Sequence, residues 1–170
     1  MFAYGGRLRD AIRAVKYRGH RSAASALGVL LAEGAPSEVA AGISAVVPVP
    51  LYPGRLATRG FNQADLLARP LASRLDVPCP PLALRRVRQE LAQAGLGARN
   101  RRANVHGAFV PGGTRVHGRV LLVDDVFSTG ATVAECARAL RGAGAEEVAV
   151  LTLARAVLDG PEVGGSGARL

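Results

Sequence analysis

The feature that most restricts this chain is a continuous apolar run, Val120-Leu121-Leu122-Val123, which ends directly in two carboxylates, Asp124 and Asp125. A run of this kind without polar alternation is the pattern of a strand covered on both faces. After it come Val126-Phe127-Ser128-Thr129-Gly130-Ala131-Thr132 and a helical stripe, Val133, Cys136, Ala137 and Leu140, closed by Gly142 and Gly144. Residues 148–153 form a second buried strand. Strand, tight loop, helix, strand is a βαβ unit, so the expected fold class is α/β around a parallel sheet.

The N-terminal part is read as two helices. Leu8, Ala11, Ile12 and Val15 keep helical spacing up to a stop at Gly19, and residues 23–33 form the second helix, ending at Gly34. Ile43-Ser44-Ala45-Val46-Val47-Pro48-Val49-Pro50 reads as a buried strand running out into a proline-rich loop. Residues 62–75 turn helical again through Leu67, Leu71 and Leu75, with Pro70 inside the pattern. An interior proline costs about 3 kcal/mol, so a kink or a shortened helix is expected there. Residues 82–87 suggest another strand. Residues 88–104 read as a long arginine-rich loop, and long loops more often carry function than not. The domain is expected to span 1–156, and 157–170, with Gly164-Gly165-Ser166-Gly167, to form a flexible tail.

Composition removes several classes. The 170 residues are 49% hydrophobic and 21% charged, enough for a real core, which excludes a wholly disordered chain and a disulfide-stapled miniprotein. No apolar run approaches the roughly 18 residues of a membrane span. Met1-Phe2-Ala3-Tyr4-Gly5-Gly6 shows no secretory signal, so a soluble, cytoplasmic protein without a membrane partner is expected. Cys79 and Cys136 lie far apart and form no zinc or redox motif. Cys136 falls on the apolar stripe, as a small buried hydrophobe would. His20, His106 and His117 are isolated and are read as surface or structural.

The net charge of +9 is unevenly placed: residues 1–54 balance at +3, residues 55–119 at +9 and residues 120–170 at −3. A basic excess in one segment suggests an anionic partner such as nucleic acid or a phosphorylated metabolite. A GC-rich coding bias is the rival account, because Lys16 is the only lysine and alanine is abundant.

The segment from Asp124 to Thr132 carries the most specific chemistry. Ligands of open parallel sheets bind beyond the carboxyl ends of the strands. Ser128, Thr129 and Thr132 offer hydroxyls, Gly130 lets backbone approach a ligand, and the start of the following helix presents N–H groups at its positive end. Together they suit a phosphate monoester. Asp124 and Asp125 would repel a bare phosphate, but they accept hydrogen bonds from vicinal sugar hydroxyls or hold a hydrated Mg²⁺. The combination matches a sugar phosphate. A Walker loop is excluded because G-x-x-x-x-G-K-[ST] is absent.

The stretch from Val120 to Thr132 resembles the phosphoribosyl pyrophosphate (PRPP) signature of type I phosphoribosyltransferases. More narrowly, the chain is similar to the competence-associated ComF branch. That likeness rests on Lys16-Tyr17-Arg18-Gly19, Val47-Pro48-Val49-Pro50-Leu51 with Arg59-Gly60-Phe61-Asn62-Gln63-Ala64, and Gln93-Ala94-Gly95-Leu96 with Arg101-Arg102-Ala103-Asn104. The cysteine-rich zinc ribbon with which such proteins usually begin is not visible in these residues. The resemblance implies a type I phosphoribosyltransferase fold: a central parallel sheet flanked by helices, with a small hood from the N-terminal part and loop 88–104. It implies that Asp124 and Asp125 bind the ribose hydroxyls of PRPP, with Mg²⁺ held indirectly, as the catalytic pair. Ser128, Thr129, Gly130, Ala131 and Thr132 would hold the 5′-phosphate. The proline-rich loop would lie against pyrophosphate, with Arg55, Arg59, Arg101 and Arg102 as further phosphate ligands through charge-assisted bonds. The implied activity is phosphoribosyl transfer with pyrophosphate release. The alternative is a non-catalytic competence or DNA-uptake factor, using the fold as a PRPP sensor or as a scaffold for single-stranded DNA or competence-machinery proteins. A homodimer is compatible with either.

Overall fold

The computed structural model describes residues 2–3, 6–18, 21–89 and 105–156. The strands are β1 (Phe2–Ala3), β2 (Ile43–Pro48), β3 (Leu84–Arg86), β4 (Phe109–Pro111), β5 (Arg119–Phe127) and β6 (Glu147–Arg155). The helices are α1 (Gly6–Arg18), α2 (Arg21–Glu33), α3 (Ser37–Ala40), α4 (Pro53–Arg59), α5 (Gln63–Leu75) and α6 (Ala131–Gly142). Four strands form a parallel sheet in the order β1-β6-β5-β2, while β3 and β4 make a separate antiparallel pair. The expected α/β class and parallel sheet are therefore present, and β5, α6 and β6 form the βαβ unit.

The strand period of two divides the core cleanly. Val46, Leu121, Val123, Leu151 and Leu153 pack on one face with Ile12 of α1, Leu31 of α2 and Leu67 and Leu71 of α5. Val47, Val120 and Leu122 pack on the other face with Cys136, Ala139 and Leu140 of α6, Leu84 of β3 and Phe109 of β4. Both faces are covered, which is why β5 reads as an unbroken apolar run. Cys136 is fully buried, as its place on the stripe suggests, and Ala139 rather than Ala137 completes the buried side of α6.

Several expectations shift in detail. The small layer is the β3–β4 pair, whereas α1 and α2 lie on the main sheet beside α5. The proline-rich loop contains a short helix, α4, with Pro53 at its start, where a missing N–H costs nothing, and Gly60 as a left-handed cap at φ 77°. The tail at 157–170 and all but the first two residues of loop 88–104 lie outside the described residues.

The shortened helix expected at Pro70 does not occur: α5 runs over Gln63–Leu75 with the proline inside it. Pro70 has no N–H to offer the Leu66 carbonyl one turn earlier. Gly28 of α2 lies against that turn: a Cβ there would stand 2.7 Å from Leu66 O and 3.0 Å from Pro70 Cγ. The glycine lets α2 approach closely, and burial of Leu67, Ala68, Leu71 and Ala72 outweighs the lost bond. A Gly28→Val variant is expected to lose about 1–3 kcal/mol through overpacking. Urea unfolding of the two proteins measures this, and equal midpoints would refute the close approach.

Candidate active site

The crevice between β2 and β5 is where the fold makes room for a ligand. Beyond β2 and the short α4, helix α5 covers one face of the sheet, and the helix after β5, α6, covers the other. Adjacent strands that send the chain to opposite faces leave an opening beyond their carboxyl ends. β2 stays paired with β5 up to Pro48 opposite Val123, and the Val49 N–H then donates to the Val123 carbonyl at 2.9 Å. β5 continues against β6 as far as Phe127 opposite Arg155. Asp124 and Asp125 are thus inside a strand, not in the loop after it as the apolar run alone suggests.

This placement corrects the picture of two carboxylates side by side. Consecutive strand residues point to opposite faces. Asp125 turns toward the α1, α2 and α5 side, where it borders Ile12, Leu27, Leu67 and Leu153. Asp124 turns toward α6, close enough for its charge to act on the Cys136 thiol. Burial pushes that thiol well above its ordinary range, and Asp124 raises it further against the opposing pull of Arg86. Cys136 is therefore a neutral packing residue.

A cleft of about 240 Å³ unites the acidic pair with Arg55 and Arg59 of α4, Asn62 and Gln63 at the start of α5, Arg86 of β3, and Thr132 of α6. Arg55 and Arg59 share a face of α4 because they are one helical turn apart. Asn62 caps α5, accepting from Ala64 N–H at 3.1 Å, and its Nδ2 donates to the Val49 carbonyl at 2.9 Å. That clamp fixes the exit of β2 against α5. Asp125 is 7% exposed and accepts a 2.6 Å hydrogen bond from Gln63 Nε2, while Gln63 Oε1 accepts from Arg59. The Asp124 carboxylate accepts from the Asp125 N–H at 2.8 Å.

Of the loop residues expected to hold phosphate, Thr132 lines the cleft. Ser128 is exposed, Thr129 and Gly130 are half-buried in the bend before α6, and Ala131 is buried. Gly130 is the N-cap, left-handed at φ 75°, and no side chain caps the helix. A Cβ on Gly130 would come 3.0 Å from the Phe127 ring, so the residue type is set by both conformation and space. Arg101 and Arg102 lie outside the described residues. Arg86 is a cleft residue that sequence reasoning did not single out, and Gln63 entered it only within the block Arg59–Ala64, without a role of its own. Arg86 was one arginine among many, placed only by the pairing of β3 with β4; its guanidinium lies 5.1 Å above the Phe109 ring.

Glu135 of α6 fastens the small layer beside this cleft. It accepts from the Gly107 N–H at 2.9 Å and from Arg138 at 3.1 Å, and it lies 3.2 Å from His106 Nδ1. Burial alone would raise its carboxyl, but the Gly107 N–H, Arg138 and His106 together hold it below the usual carboxylate range.

A family model described as the phosphoribosyl transferase domain matches residues 62–162. The chain belongs to this family. The chain is 45% identical over 115 residues to Competence protein F of Haemophilus influenzae, covering 66% of this chain and 50% of that one. It is 43% identical over 114 residues to the DNA utilization protein YhgH of Escherichia coli K12 (65% and 48% covered). It is 33% identical over 109 residues to Competence protein ComFC of Streptococcus pneumoniae (64% and 47% covered). The chain thus spans about half the length of the curated relatives it matches. Among solved structures, glutamine PRPP amidotransferase from B. subtilis, complexed with ADP and GMP, is similar with a TM-score of 0.53 and 26% identity, covering 78% of this chain and 26% of that chain. The family resemblance and the type I phosphoribosyltransferase fold read from the motifs both stand. No described helix is long and apolar enough to cross a membrane.

The depressed Glu135 carboxyl has a pH consequence. A carboxyl lower in the folded than in the unfolded chain adds stability above its unfolded pKa, and that stability is lost as pH falls through the folded value. Glu135→Gln is expected to be less stable than wild type at neutral pH, with the gap closing below about pH 4. Denaturant unfolding across pH checks this; a gap that persists undiminished into acid would remove the carboxylate from the explanation.

Proposed function

We propose that the chain binds PRPP in this cleft and transfers its 5-phosphoribosyl group, releasing pyrophosphate. The observation that carries the reading is one cleft lined by two carboxylates, three guanidiniums and the start of a helix. Thr132 and the first N–H groups of α6 take the 5′-phosphate, where the helix dipole favours an anion. Asp124 and Asp125 accept hydrogen bonds from the ribose hydroxyls, reaching the sugar from the two faces of β5. Arg55 and Arg59 take the pyrophosphate, and Arg101 and Arg102 join them on the family likeness alone.

The donor set suits Mg²⁺. Among the described residues no group of three or more His, Cys, Asp or Glu could hold a metal, so Asp124 and Asp125 would hold the ion through water while phosphate oxygens supply other ligands. When bound, Mg²⁺ neutralises charge on the leaving pyrophosphate. The chain's own part is electrostatic and positional. Its guanidiniums meet the charge that develops as the C1–oxygen bond breaks, and the carboxylates hold the ribose while C1 becomes cationic.

Replacing both acids, Asp124→Asn with Asp125→Asn, is expected to weaken PRPP binding in Mg²⁺ by about tenfold or more, since hydrogen bonds to charged groups contribute about 1.5–3 kcal/mol each. Titration calorimetry measures it, and unchanged affinity would sink the reading. A pyrophosphate-release assay with bases, amines and nucleic acids then tests transfer.

A second reading draws on relatives named for competence and DNA utilization. A non-catalytic factor of that kind would bind single-stranded DNA through its arginines. Affinity would then fall by about 0.7 log units per contacted phosphate for each tenfold rise in salt. A flat salt response would leave this reading without support, and the 4% aromatic content offers little for base stacking.

A further inference from the structure

Gln63 occupies an unusual position for a neutral side chain. It is 7% exposed, at the first turn of α5, and both ends of its amide are used by groups of opposite charge. Its Nε2 donates to Asp125 Oδ2 at 2.6 Å, and its Oε1 accepts from the Arg59 guanidinium. A carboxylate only accepts and a guanidinium only donates, so these neighbours also fix which way the amide faces. A guanidinium and a carboxylate in direct contact form a charge-assisted, often bidentate pair; here the Gln63 amide stands between them.

We propose that Gln63 is a positioning residue that keeps Arg59 and Asp125 from neutralising each other, so that one charge serves an anionic group and the other serves sugar hydroxyls of the same ligand. The residue type follows from this role. Glutamate would satisfy Arg59 but set a second carboxylate against Asp125. Methionine matches the volume but bonds to neither neighbour. Asparagine is one methylene too short to span both. The Asn62 cap and the Val49 clamp hold the first turn of α5 in place, so the spacer is seated by the same residues that fix the exit of β2.

The proposal rests on the phosphoribosyl reading for its ligand, and the test separates the two. The side-chain amide of Gln63 is followed by ¹⁵N NMR in wild type, Arg59→Met and Asp125→Asn. Affinities for pyrophosphate and for ribose 5-phosphate, each with Mg²⁺, are measured in wild type, Gln63→Met and Gln63→Glu. The amide resonance should move in both neighbour variants. Gln63→Met should weaken both probes by about tenfold or more. Gln63→Glu, which preserves size if the methionine variant folds poorly, should weaken pyrophosphate by a similar factor because Arg59 is then paired. A purely structural glutamine would lower the unfolding midpoint and leave affinities unchanged well below it. Probe affinities within about twofold of wild type in both Gln63 variants, or an amide resonance indifferent to either neighbour, would overturn the spacer. A resonance that reports both neighbours in a wild type that binds neither probe would support the spacer and overturn the phosphoribosyl reading.

Discussion

Strand β5 is bonded to β6 as far as Phe127 but to β2 only as far as Val123, and this unequal pairing creates the site. Where β2 leaves the sheet, the chain turns into α4 and brings Arg55 and Arg59 over the gap. Where β5 continues, its last residues remain in extended register and present acids to both sides of it. The remaining structure supports that mismatch. Asn62 ties the departing segment to α5, α6 starts at the lip of the opening, and Glu135 holds the small layer beside it.

The basic excess of the middle segment resolves into separate tasks. Arg55, Arg59 and Arg86 face the cleft. Arg69 pairs with Asp65 at 2.8 Å on the surface of α5, and Arg119 pairs with Glu147 at 2.9 Å while donating to the carbonyls of Glu38 and Ala41. Arg88 holds the His106 carbonyl at the base of the small layer. An exposed pair such as Arg69–Asp65 contributes little, about 0–1 kcal/mol. The excess therefore divides between arginines that line the cleft and arginines paired on the surface.

Much of the frame was legible because local pattern and burial agree there. The run Val120–Val123, the stripe through Cys136 and Leu140, and the spacing of Leu8 with Ile12 each state both an element and its buried face. Strand β4 was not legible: three residues, Phe109–Pro111, form a strand only through distant partners at Leu84–Arg86. Pro70 misled because its cost was judged from α5 alone, while Gly28 on a different helix accommodates it. In the site, the residue types were legible and their directions were not. Two adjacent aspartates look like a matched pair in a string of letters, and only strand geometry shows that they diverge. Gln63 gave no chemical signal of its own, since its importance lies in the charges on either side of it.

The alternation along β5 also constrains how this family can change length. Deleting or inserting one residue between 120 and 125 would invert the phase of the strand. It would either exchange the sides served by Asp124 and Asp125 or turn core leucines and valines the wrong way, depending on which part of the strand keeps its register. A two-residue change would restore the phase but move the acids by one full repeat along the cleft. The position of the acids in the cleft is therefore tied to the packing of the sheet.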